Sequence, residues 1–262
     1  MDKVTVIKIG GSTLGNHDTT IEDLVTLQRE GKSLIVVHGG GKIITDWLTK
    51  QGIQSKFVRG ERVTDQPSLE VVTSVLAGLV NKDIVAAINR LGGRAAGISG
   101  VDGALIEGKI ADKEKGYVGA VTRVNTTILE ALLKAAFIPV VATVGLNTFD
   151  RAPDTPSTLN FNADTVAGDI AAATGAERLI FLTDVTGVLD KAGKLLPQLS
   201  PSEAETLVVS GVASGGMIPK INACLRALTN TATTCIIDGR QPHALLKEIR
   251  GNRSGTIIRE VV

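Results

Sequence analysis

The chain has 262 residues, and its 28 lysine and arginine residues balance 27 aspartate and glutamate residues to a net charge of +1. A chain of this length can bury a substantial core, either as one large α/β domain or as two lobes that share a sheet. The charge balance disfavours binding to nucleic acid or to an anionic membrane, because both need an excess of basic residues. We therefore expect small-molecule partners, no nucleic acid and no membrane.

Two cysteines, Cys224 and Cys235, lack the CxxC spacing of a zinc or redox site, so we expect both to be reduced thiols in the core. The N-terminus shows no basic region followed by a long apolar run, the pattern of an export signal. We expect no apolar stretch of membrane-spanning length. These features predict a cytoplasmic protein.

Predicted strands and helices alternate along the chain. Short apolar runs rich in β-branched residues predict buried strands at residues 4–9, 34–37, 95–98, 138–144, 179–182 and 235–237. Amphipathic stretches predict helices at residues 67–91, 126–135, 163–174, 201–209 and 217–229. Two segments depart from this rhythm: residues 103–124 predict a hairpin, and residues 183–196 form a turn-rich excursion. The alternation predicts an α/β fold in which a mainly parallel central sheet is sandwiched between helices (αβα).

Three glycine-rich turns lie at the ends of predicted strands or the starts of predicted helices. Lys8 lies near the end of the first strand, directly before a glycine pair. The second turn, residues 38–42, has the sequence HGGGK, and the third, residues 210–217, precedes a helix whose first turn carries Lys220. Anionic ligands favour the carboxyl ends of parallel strands and the N-termini of helices, and glycine lets backbone amides approach them closely. The two lysines and the three turns together therefore predict a phosphate-binding site.

Other readings of these turns remain to be weighed. Each turn alone is equally consistent with loop geometry, since strand-to-helix loops need glycine. The chain contains no GxxxxGK[ST] and no GxGxxG, so a P-loop enzyme or a conventional dinucleotide-binding protein is disfavoured. The HGGG run also occurs in esterases, but no GxSxG nucleophile motif accompanies it. We expect His38 to be a hydrogen-bonded strand-end residue, and we expect no metal site among three scattered histidines.

Motifs along nearly the whole chain resemble those of the amino acid kinase family and occur in the same order. They are VIKIGG at 6–11, HGGGK at 38–42, RGERVTD at 59–65, NFNADTVAGDIA at 160–171, TDVTGVLD at 183–190 and GGMIPKINA at 215–223. By themselves, residues 59–65 are also consistent with a charged surface turn, and residues 160–164 with a capped helix entrance. Within the family, these two stretches look most like those of members that phosphorylate N-acetyl-L-glutamate.

The resemblance implies a role for each matching residue. Lys8 and Lys220 would flank the phosphoryl group in transfer, and Asp164 would hold both lysines. The residues implied in binding the acceptor are Gly40, Gly41, Arg62 and Asn160. The residues implied in binding ATP are Lys8, Gly10, Gly11, Asp184, Val185, Thr186, Gly187, Val188, Leu189, Val212, Ala213, Ser214 and Lys220. The implied lobes are residues 1–174, for the amino acid substrate and dimerisation, and residues 175–262, for the nucleotide.

The implied reaction suits these residue types. A side-chain carboxylate, with a pKa of about 4.3, is already a nucleophile at neutral pH and needs no general base. The obstacle is repulsion between two anions, which lysines and backbone amides reduce. Arg62 suits a planar carboxylate because its guanidinium can form two parallel hydrogen bonds. Mg²⁺ is expected to arrive on the ATP phosphates, with few protein ligands.

The resemblance leaves two alternatives to the implied activity open. The acceptor could be N-acetyl-2-aminoadipate or a carrier-linked aminoadipate, one methylene longer than N-acetylglutamate, and one methylene changes binding by only about 1–3 kcal/mol. The chain could also be a non-catalytic nucleotide or amino acid sensor. We expect a homodimer, because family members inhibited by arginine tend to carry an extra N-terminal helix that links dimers into hexamers, whereas here only a few residues, Met1 and Asp2 among them, precede the first predicted strand. The tail, residues 236–256, nevertheless resembles that of the arginine-responsive members, so the two features conflict.

Overall fold

The computed structural model describes residues 3–10, 19–58, 61–150 and 152–260, with Glu61 described by its backbone alone. The strands are β1 (Val4–Ile9), β2 (Ser33–His38), β3 (Phe57–Val58), β4 (Glu61–Arg62), β5 (Ala95–Ser99), β6 (Ile106–Ile110), β7 (Val118–Val124), β8 (Ile138–Ala142), β9 (Val144–Asn147), β10 (Thr158–Phe161), β11 (Arg178–Thr183), β12 (Gln198–Leu199), β13 (Thr233–Asp238) and β14 (Thr256–Ile258).

The helices lie between these strands. They are α1 (Thr20–Arg29), α2 (Gly41–Lys50), α3 (Gln66–Thr73), α4 (Asn81–Arg90), α5 (Thr127–Lys134), α6 (Ala163–Thr174), α7 (Pro201–Val209), α8 (Met217–Ala227) and α9 (Ala244–Ile249). A π-helical segment, Ser74–Val80, joins α3 to α4 without a break. Strands and helices therefore alternate in the described residues much as the sequence predicts.

The central sheet has the strand order β12-β14-β13-β11-β1-β2-β8-β5. Its pairs are parallel except where β14 runs antiparallel to β13. Strand β1 lies in the middle, with Ile9 paired to His38 on one side and to Leu182 on the other. A mainly parallel sheet covered on both faces explains why its strands are almost continuously apolar. The predicted α/β sandwich is confirmed.

Alternate residues of β1 contribute to cores on opposite faces of the sheet. Ile7 and Ile9 pack with side chains from α1, α2, α9 and the helix that contains α3 and α4. Val4 and Val6 pack with side chains from α5, α6, α7 and α8. Helix α6, which carries Asp164, thus lies on the second face, with its N-terminus at the carboxyl end of β1.

The predicted hairpin at residues 103–124 is confirmed as the antiparallel pair β6 and β7. The single strand predicted for residues 138–144 is wrong, because Thr143 divides it into β8 in the central sheet and β9 in a small closed sheet of β10, β7, β6 and β9. The carbonyl of Thr143 accepts a hydrogen bond from Phe161 N at the transition. Apolar character continues through Thr143, so the change of sheet leaves no mark in the pattern.

The continuous helix Gln66–Arg90 is, among the described residues, the one helix long and apolar enough to span a membrane, because an 18-residue window within it has a mean hydropathy of 1.7. The expectation that no stretch reaches that length is therefore wrong on length and composition. Its inward side chains belong to the core on the first face of the sheet: Val71, Val72, Val75, Leu76, Val80, Ile84 and Ile88. These contacts identify it as a core helix of a soluble fold.

The two cysteines lie in the core, as predicted. Cys224 on α8 and Cys235 on β13 are both free and buried. Burial raises the pKa of the Cys224 thiol to about 12 and that of Cys235 well above its ordinary value. Both side chains are therefore uncharged thiols that pack as small apolar groups.

Candidate active site

Several of the predicted site residues lie at the carboxyl edge of the central sheet. Neighbouring strands β1, β2 and β11 end together there, and Gly10 N donates to Leu182 O (3.3 Å) while Gly39 N donates to Ile9 O (3.4 Å). The turn after β1, the HGGG turn after β2 and the segment after β11 therefore start side by side. A parallel sheet presents its ligand sites at this edge.

A carboxylate lies between two ammonium groups at this edge. Lys8 Nζ lies 2.7 Å from Asp164 Oδ1, and Lys220 Nζ lies 3.1 Å from Asp164 Oδ2. The Lys8 and Asp164 side chains are 10% and 8% exposed, and that of Lys220 is 18% exposed. Each oxygen of one carboxylate thus holds a different lysine, so the two ammonium groups are fixed relative to each other.

Helix termini fix the positions of Asp164 and Lys220. Asn162 caps α6, and its Oδ1 accepts hydrogen bonds from the backbone amides of Asp164 (2.9 Å) and Thr165 (3.1 Å). Asp164 then lies in the first turn of α6, where the helix dipole favours a negative charge. Lys220 lies in the first turn of α8 and also donates to Gly216 O at 3.2 Å. Two helix starts therefore bring the carboxylate and the second lysine to β1.

The carboxyl of Asp164 is ionised. Burial by itself would raise its pKa, but the charges of Lys8 and Lys220, with their hydrogen bonds, outweigh burial and hold the pKa below its ordinary value. The cluster therefore carries two positive charges and one negative charge. Its net charge of +1 at a sheet edge rich in backbone amides can attract and stabilise an anion.

A cavity of about 190 Å³ opens beside the HGGG turn. Its lining combines the turn, two polar side chains from β4 and β10, and an apolar wall: Gly39, Gly40, Gly41, Ile44, Phe57, Arg62, Leu76, Val118, Thr143, Asn160, Phe161, Asn162 and Ala163. The predicted acceptor residues Gly40, Gly41, Arg62 and Asn160 therefore share one cavity. Its chemistry suits a small molecule with an anionic group and an apolar portion.

Arg62 is held at the cavity wall by contacts that leave its guanidinium in a fixed plane. Nη2 donates to Thr45 Oγ1 (2.7 Å) and to Gly41 O (3.1 Å), and Nη1 donates to Ser55 Oγ (2.5 Å). The guanidinium carbon lies 4.8 Å from the centre of the Phe57 ring. Burial lowers the pKa of Arg62, but a guanidinium is not deprotonated in proteins, so Arg62 keeps its charge.

Asn160 lies on β10 and reaches the same cavity. Its Nδ2 donates to Thr64 Oγ1 at 3.1 Å, and its backbone amide donates to Tyr117 O at 3.0 Å. Thr64 in turn donates its backbone amide to Lys115 O. The small closed sheet thus fixes Asn160 in the cavity wall, four residues before Asp164 in the chain.

The predicted nucleotide residues 184–189 follow β11 at the same edge. The Thr183 hydroxyl donates to Ile237 O (3.1 Å) and accepts from Val185 N (3.2 Å), which shapes the start of this segment. Val185 and Leu189 are about 40% exposed, whereas Val188 and Ala213 are buried. Val188 and Ala213 can therefore offer a nucleotide their backbone but little side-chain surface.

The outcome for the predicted residues differs by region. Lys8, Asp164 and Lys220 form one cluster, and the four acceptor residues form one cavity. Gly11 lies outside the described residues. Sequence reasoning did not find Ser55, Thr45 and Phe57 as partners of Arg62. Ser55 and Thr45 lie 7 and 17 residues away from Arg62 in the chain, and strands β3 and β4 have only two residues each and show no periodicity.

Known proteins match this chain over most of its length. The sequence profile of the amino acid kinase family matches residues 3–238. An acetylglutamate kinase of Dehalococcoides mccartyi (strain CBDB1) is 47% identical over 255 residues, which cover 97% of this chain and 94% of that protein. An acetylglutamate kinase of Nostoc sp. (strain PCC 7120) is 48% identical over 255 residues, covering 94% of this chain and 84% of that protein.

A solved structure shares the architecture at a much lower sequence identity. Carbamate kinase from Giardia lamblia bound to AMP-PNP superposes with a TM-score of 0.73 over 99% of both chains, at 14% identity. At 14% identity, this similarity shows a shared fold alone.

Proposed function

This chain belongs to the amino acid kinase family, and on that premise we propose that it transfers the γ-phosphoryl group of ATP to the side-chain carboxylate of N-acetyl-L-glutamate, a reaction of arginine biosynthesis. The observation that carries the proposal is the pair of ammonium groups held on one carboxylate, 2.7 and 3.1 Å away, beside a small cavity. Transfer between two anions needs charge stabilisation more than it needs a base.

Lys8 and Lys220 are the proposed catalytic residues. As the phosphoryl group leaves ADP and approaches the acceptor oxygen, negative charge spreads over its equatorial oxygens, and the two ammonium groups contact them. Asp164 sets the spacing of the lysines and stays ionised, since its pKa is held low. The acceptor carboxylate attacks directly, so no proton has to be removed from it.

The glycine turns supply backbone amides around the same group. Gly41 begins α2 and Gly40 precedes it, so the amides of this turn point from a helix N-terminus into the cavity region. We assign Gly40 and Gly41 to the acceptor, and Gly10 and Gly11 to the ATP phosphates. Amides fixed in a helix start need no reorganisation when charge develops on the ligand.

Arg62 and Asn160 orient the acceptor. The guanidinium binds the α-carboxylate of the amino acid, and the Asn160 amide binds a polar group beside it. Ile44, Leu76 and Val118 provide the apolar wall against which the acyl chain packs. This arrangement leaves the side-chain carboxylate of the acceptor as the end directed toward Lys8.

The nucleotide is assigned to the residues that follow β11 and precede α8: Asp184, Val185, Thr186, Gly187, Val188, Leu189, Val212, Ala213 and Ser214. Mg²⁺ would be carried by the ATP phosphates and water, where it neutralises phosphate charge. The described cluster fits this assignment, because its one carboxylate, Asp164, is already occupied by two lysines. With this division, residues 1–174 bind the amino acid and residues 175–262 bind the nucleotide. The protein acts in the cytoplasm.

Trapping with hydroxylamine tests the proposed function. An acyl phosphate reacts with hydroxylamine to give a hydroxamate, which is detected as its coloured iron(III) complex, whereas a sensor gives none. We expect hydroxamate with N-acetyl-L-glutamate, and a kcat/KM about 10- to 200-fold lower with N-acetyl-L-2-aminoadipate, the range for one methylene in a pocket. The reverse preference would reassign the acceptor, and no hydroxamate with either compound would overturn the kinase assignment.

We expect Arg62→Lys to raise the KM for the acceptor about tenfold or more while the KM for ATP stays within twofold. A lysine keeps the charge but loses the planar pair of donors and the contact with the Phe57 ring. Initial rates with each substrate varied in turn check this. An effect confined to the KM for ATP would contradict the role of Arg62.

We also propose a homodimer that forms through the helix Gln66–Arg90. Only 44% of its most apolar window is buried within the chain, and Leu79 on its outer face is 40% exposed. A Cβ added at Gly78 would have open space, so a second helix could approach closely there. The mass of one chain is 27.3 kDa, and light scattering should give about twice that mass, both with and without arginine. A hexamer, or a monomer, would contradict the proposal.

A further inference from the structure

The buried histidine of the HGGG turn has a role that the reaction above does not assign. His38 ends β2 with 0% of its surface exposed, so it cannot touch a substrate. Its Nδ1 lies 3.1 Å from Gly39 O, and its Nε2 lies 3.2 Å from Asn81 Nδ2. Burial lowers its pKa to about 4, so the imidazole is neutral at physiological pH.

The surroundings of Asn81 fix the orientation of its amide. Lys82 Nζ, which can only donate, lies 2.9 Å from Asn81 Oδ1. On the opposite side, Nδ2 faces the carbonyl of Val140 at 2.8 Å and that of Ile98 at 3.3 Å. The nitrogen therefore faces His38 Nε2 as well as the two carbonyls, and a proton on Nε2 would point at another donor. Nδ1, in contrast, faces the Gly39 carbonyl, which can only accept. It follows that the neutral imidazole carries its proton on Nδ1 and donates it to Gly39 O.

The chain makes room for this network at two glycines. A Cβ at Gly97 would lie 2.0 Å from Asn81 Oδ1 and 2.7 Å from Lys82 Nζ, so β5 needs glycine there for the amide to reach His38. A Cβ at Gly40 would lie 2.8 Å from Leu76 Cδ2. Leu76 belongs to the π-helical segment that ends directly before Asn81.

The HGGG turn is thus held from two sides by one helix. Asn81 acts through His38 on the Gly39 carbonyl, and the π-helical segment packs on Gly40. A π-helical turn inside an α-helix costs stability and frequently marks a functional site. Here the π-helical segment directly precedes Asn81, whose amide reaches into the sheet, and Asn81 lies five residues after Leu76, whose side chain packs on the HGGG turn.

We propose that Asn81 and His38 are positioning residues that aim the backbone amides of Gly40 and Gly41 at the acceptor. The proposal rests on the proposed function in that these amides bind the acceptor. Neither side chain contacts the substrate. Their effect passes through one carbonyl, that of Gly39, into the first turn of α2.

Two alanine variants on the same helix separate positioning from stability. Asn81→Ala should lower kcat/KM for the acceptor about tenfold, the effect of misaligning one hydrogen bond, and leave the KM for ATP within twofold. The matched control is Asn89→Ala, which loses hydrogen bonds to Ala95 N (2.8 Å) and Ala95 O (3.4 Å) at the far end of α4. The control should lose stability without a change in kcat/KM. Equal kcat/KM values in the two variants would overturn the proposal.

An isosteric variant gives a pH signature that a structural role would not produce. In Asn81→Asp an oxygen replaces the Nδ2 donor and faces His38 Nε2 and the carbonyls of Val140 and Ile98. Nε2–H is then the donor on that side that can satisfy it, so a neutral His38 is drawn to carry its proton on Nε2 and no longer donates from Nδ1 to Gly39 O. Protonation restores that donor, although the nearby ammonium groups of Lys82 and Lys8 oppose it. The kcat/KM of this variant for the acceptor should therefore rise as the pH falls, relative to the unsubstituted chain. A pH profile parallel to that of the unsubstituted chain would contradict the proposal.

A spectroscopic measurement of the His38 ring in the unsubstituted chain does not depend on activity. The chain has only three histidines, so ¹⁵N-labelled imidazoles give few signals, and His38→Asn identifies the one from His38. We expect a neutral, Nδ1-protonated ring between pH 5.5 and 8. An Nε2-protonated or charged ring would overturn the network. Hydroxamate formation by the unsubstituted chain separately tests the proposed function, so the two failures are distinguishable.

Discussion

Lys8→Ala and Lys220→Ala are each expected to lower turnover by about a hundredfold or more, the scale for removing one preorganised group that stabilises charge in the transition state. The two ammonium groups sit on one carboxylate, so each variant also leaves Asp164 with a single partner. Hydroxamate formation at saturating ATP and acceptor measures turnover directly.

A lysine outside the cluster provides the control. Lys3 lies just before β1, its side chain is 81% exposed, and its ammonium lies 3.4 Å from Glu177. Exposed pairs of this kind contribute little to stability, so Lys3→Ala should leave turnover unchanged. Near-normal turnover in both Lys8→Ala and Lys220→Ala would contradict the mechanism.

Asp164→Ala is expected to have the largest effect on stability as well as on activity. It leaves two largely buried ammonium groups without a counter-charge, and breaking a buried ion pair in this way costs about 3–5 kcal/mol. The free energy of unfolding in denaturant measures this loss. Activity should fall at least as far as in the lysine variants, because both lysines lose their fixed positions.

A second aspartate on the same helix provides a contrast. Asp169 pairs with Arg226 at 2.9 Å, but burial raises its pKa above the ordinary value despite that contact. A buried carboxylate whose pKa is raised destabilises the fold when it is charged, so Asp169→Asn should cost much less than Asp164→Ala at neutral pH. Equal losses in the two variants would contradict the role of Asp164 as the central counter-charge.

The two aspartates also predict opposite dependence on pH. The native pKa of Asp164 lies below its ordinary value of 3.8, so its stabilisation is complete above that value and is lost as the pH falls through the native pKa. The stability advantage of the unsubstituted chain over Asp164→Ala should therefore shrink in acid. The stability of the unsubstituted chain relative to that of Asp169→Asn should instead rise as the pH falls, because Asp169 takes up a proton.

Much of this fold can be predicted from local patterns. The apolar runs and amphipathic stretches are long enough to show their periods, and Lys8 and the HGGG turn lie at strand ends, where parallel strands gather ligand sites. The division of residues 138–144 at Thr143 could not be predicted, because both sheets bury the same kind of side chain. The π-helical segment could not be predicted either, because the same types of apolar residue occur in α-helical and in π-helical turns.

The contacts of the site depend on residues far apart in the chain. Asn81 and His38 are separated by 43 residues, and Arg62 and Thr45 by 17. No local pattern links such pairs, because tertiary packing alone brings them together. The grouping of Lys8 with Asp164 and Lys220 was predicted through resemblance to a family, and their roles in catalysis stay predictions.

An isotope measurement tests most directly whether a carboxylate oxygen of the acceptor attacks ATP. N-acetyl-L-glutamate labelled with ¹⁸O in its side-chain carboxylate is incubated with ATP, Mg²⁺ and hydroxylamine, and the released phosphate is examined by ³¹P NMR. Carboxylate attack forms a bond between that oxygen and phosphorus, and hydroxylamine then cleaves the acyl carbon–oxygen bond. We predict one ¹⁸O atom in each phosphate released. Unlabelled phosphate would show that water attacks ATP instead, and would contradict the proposed function.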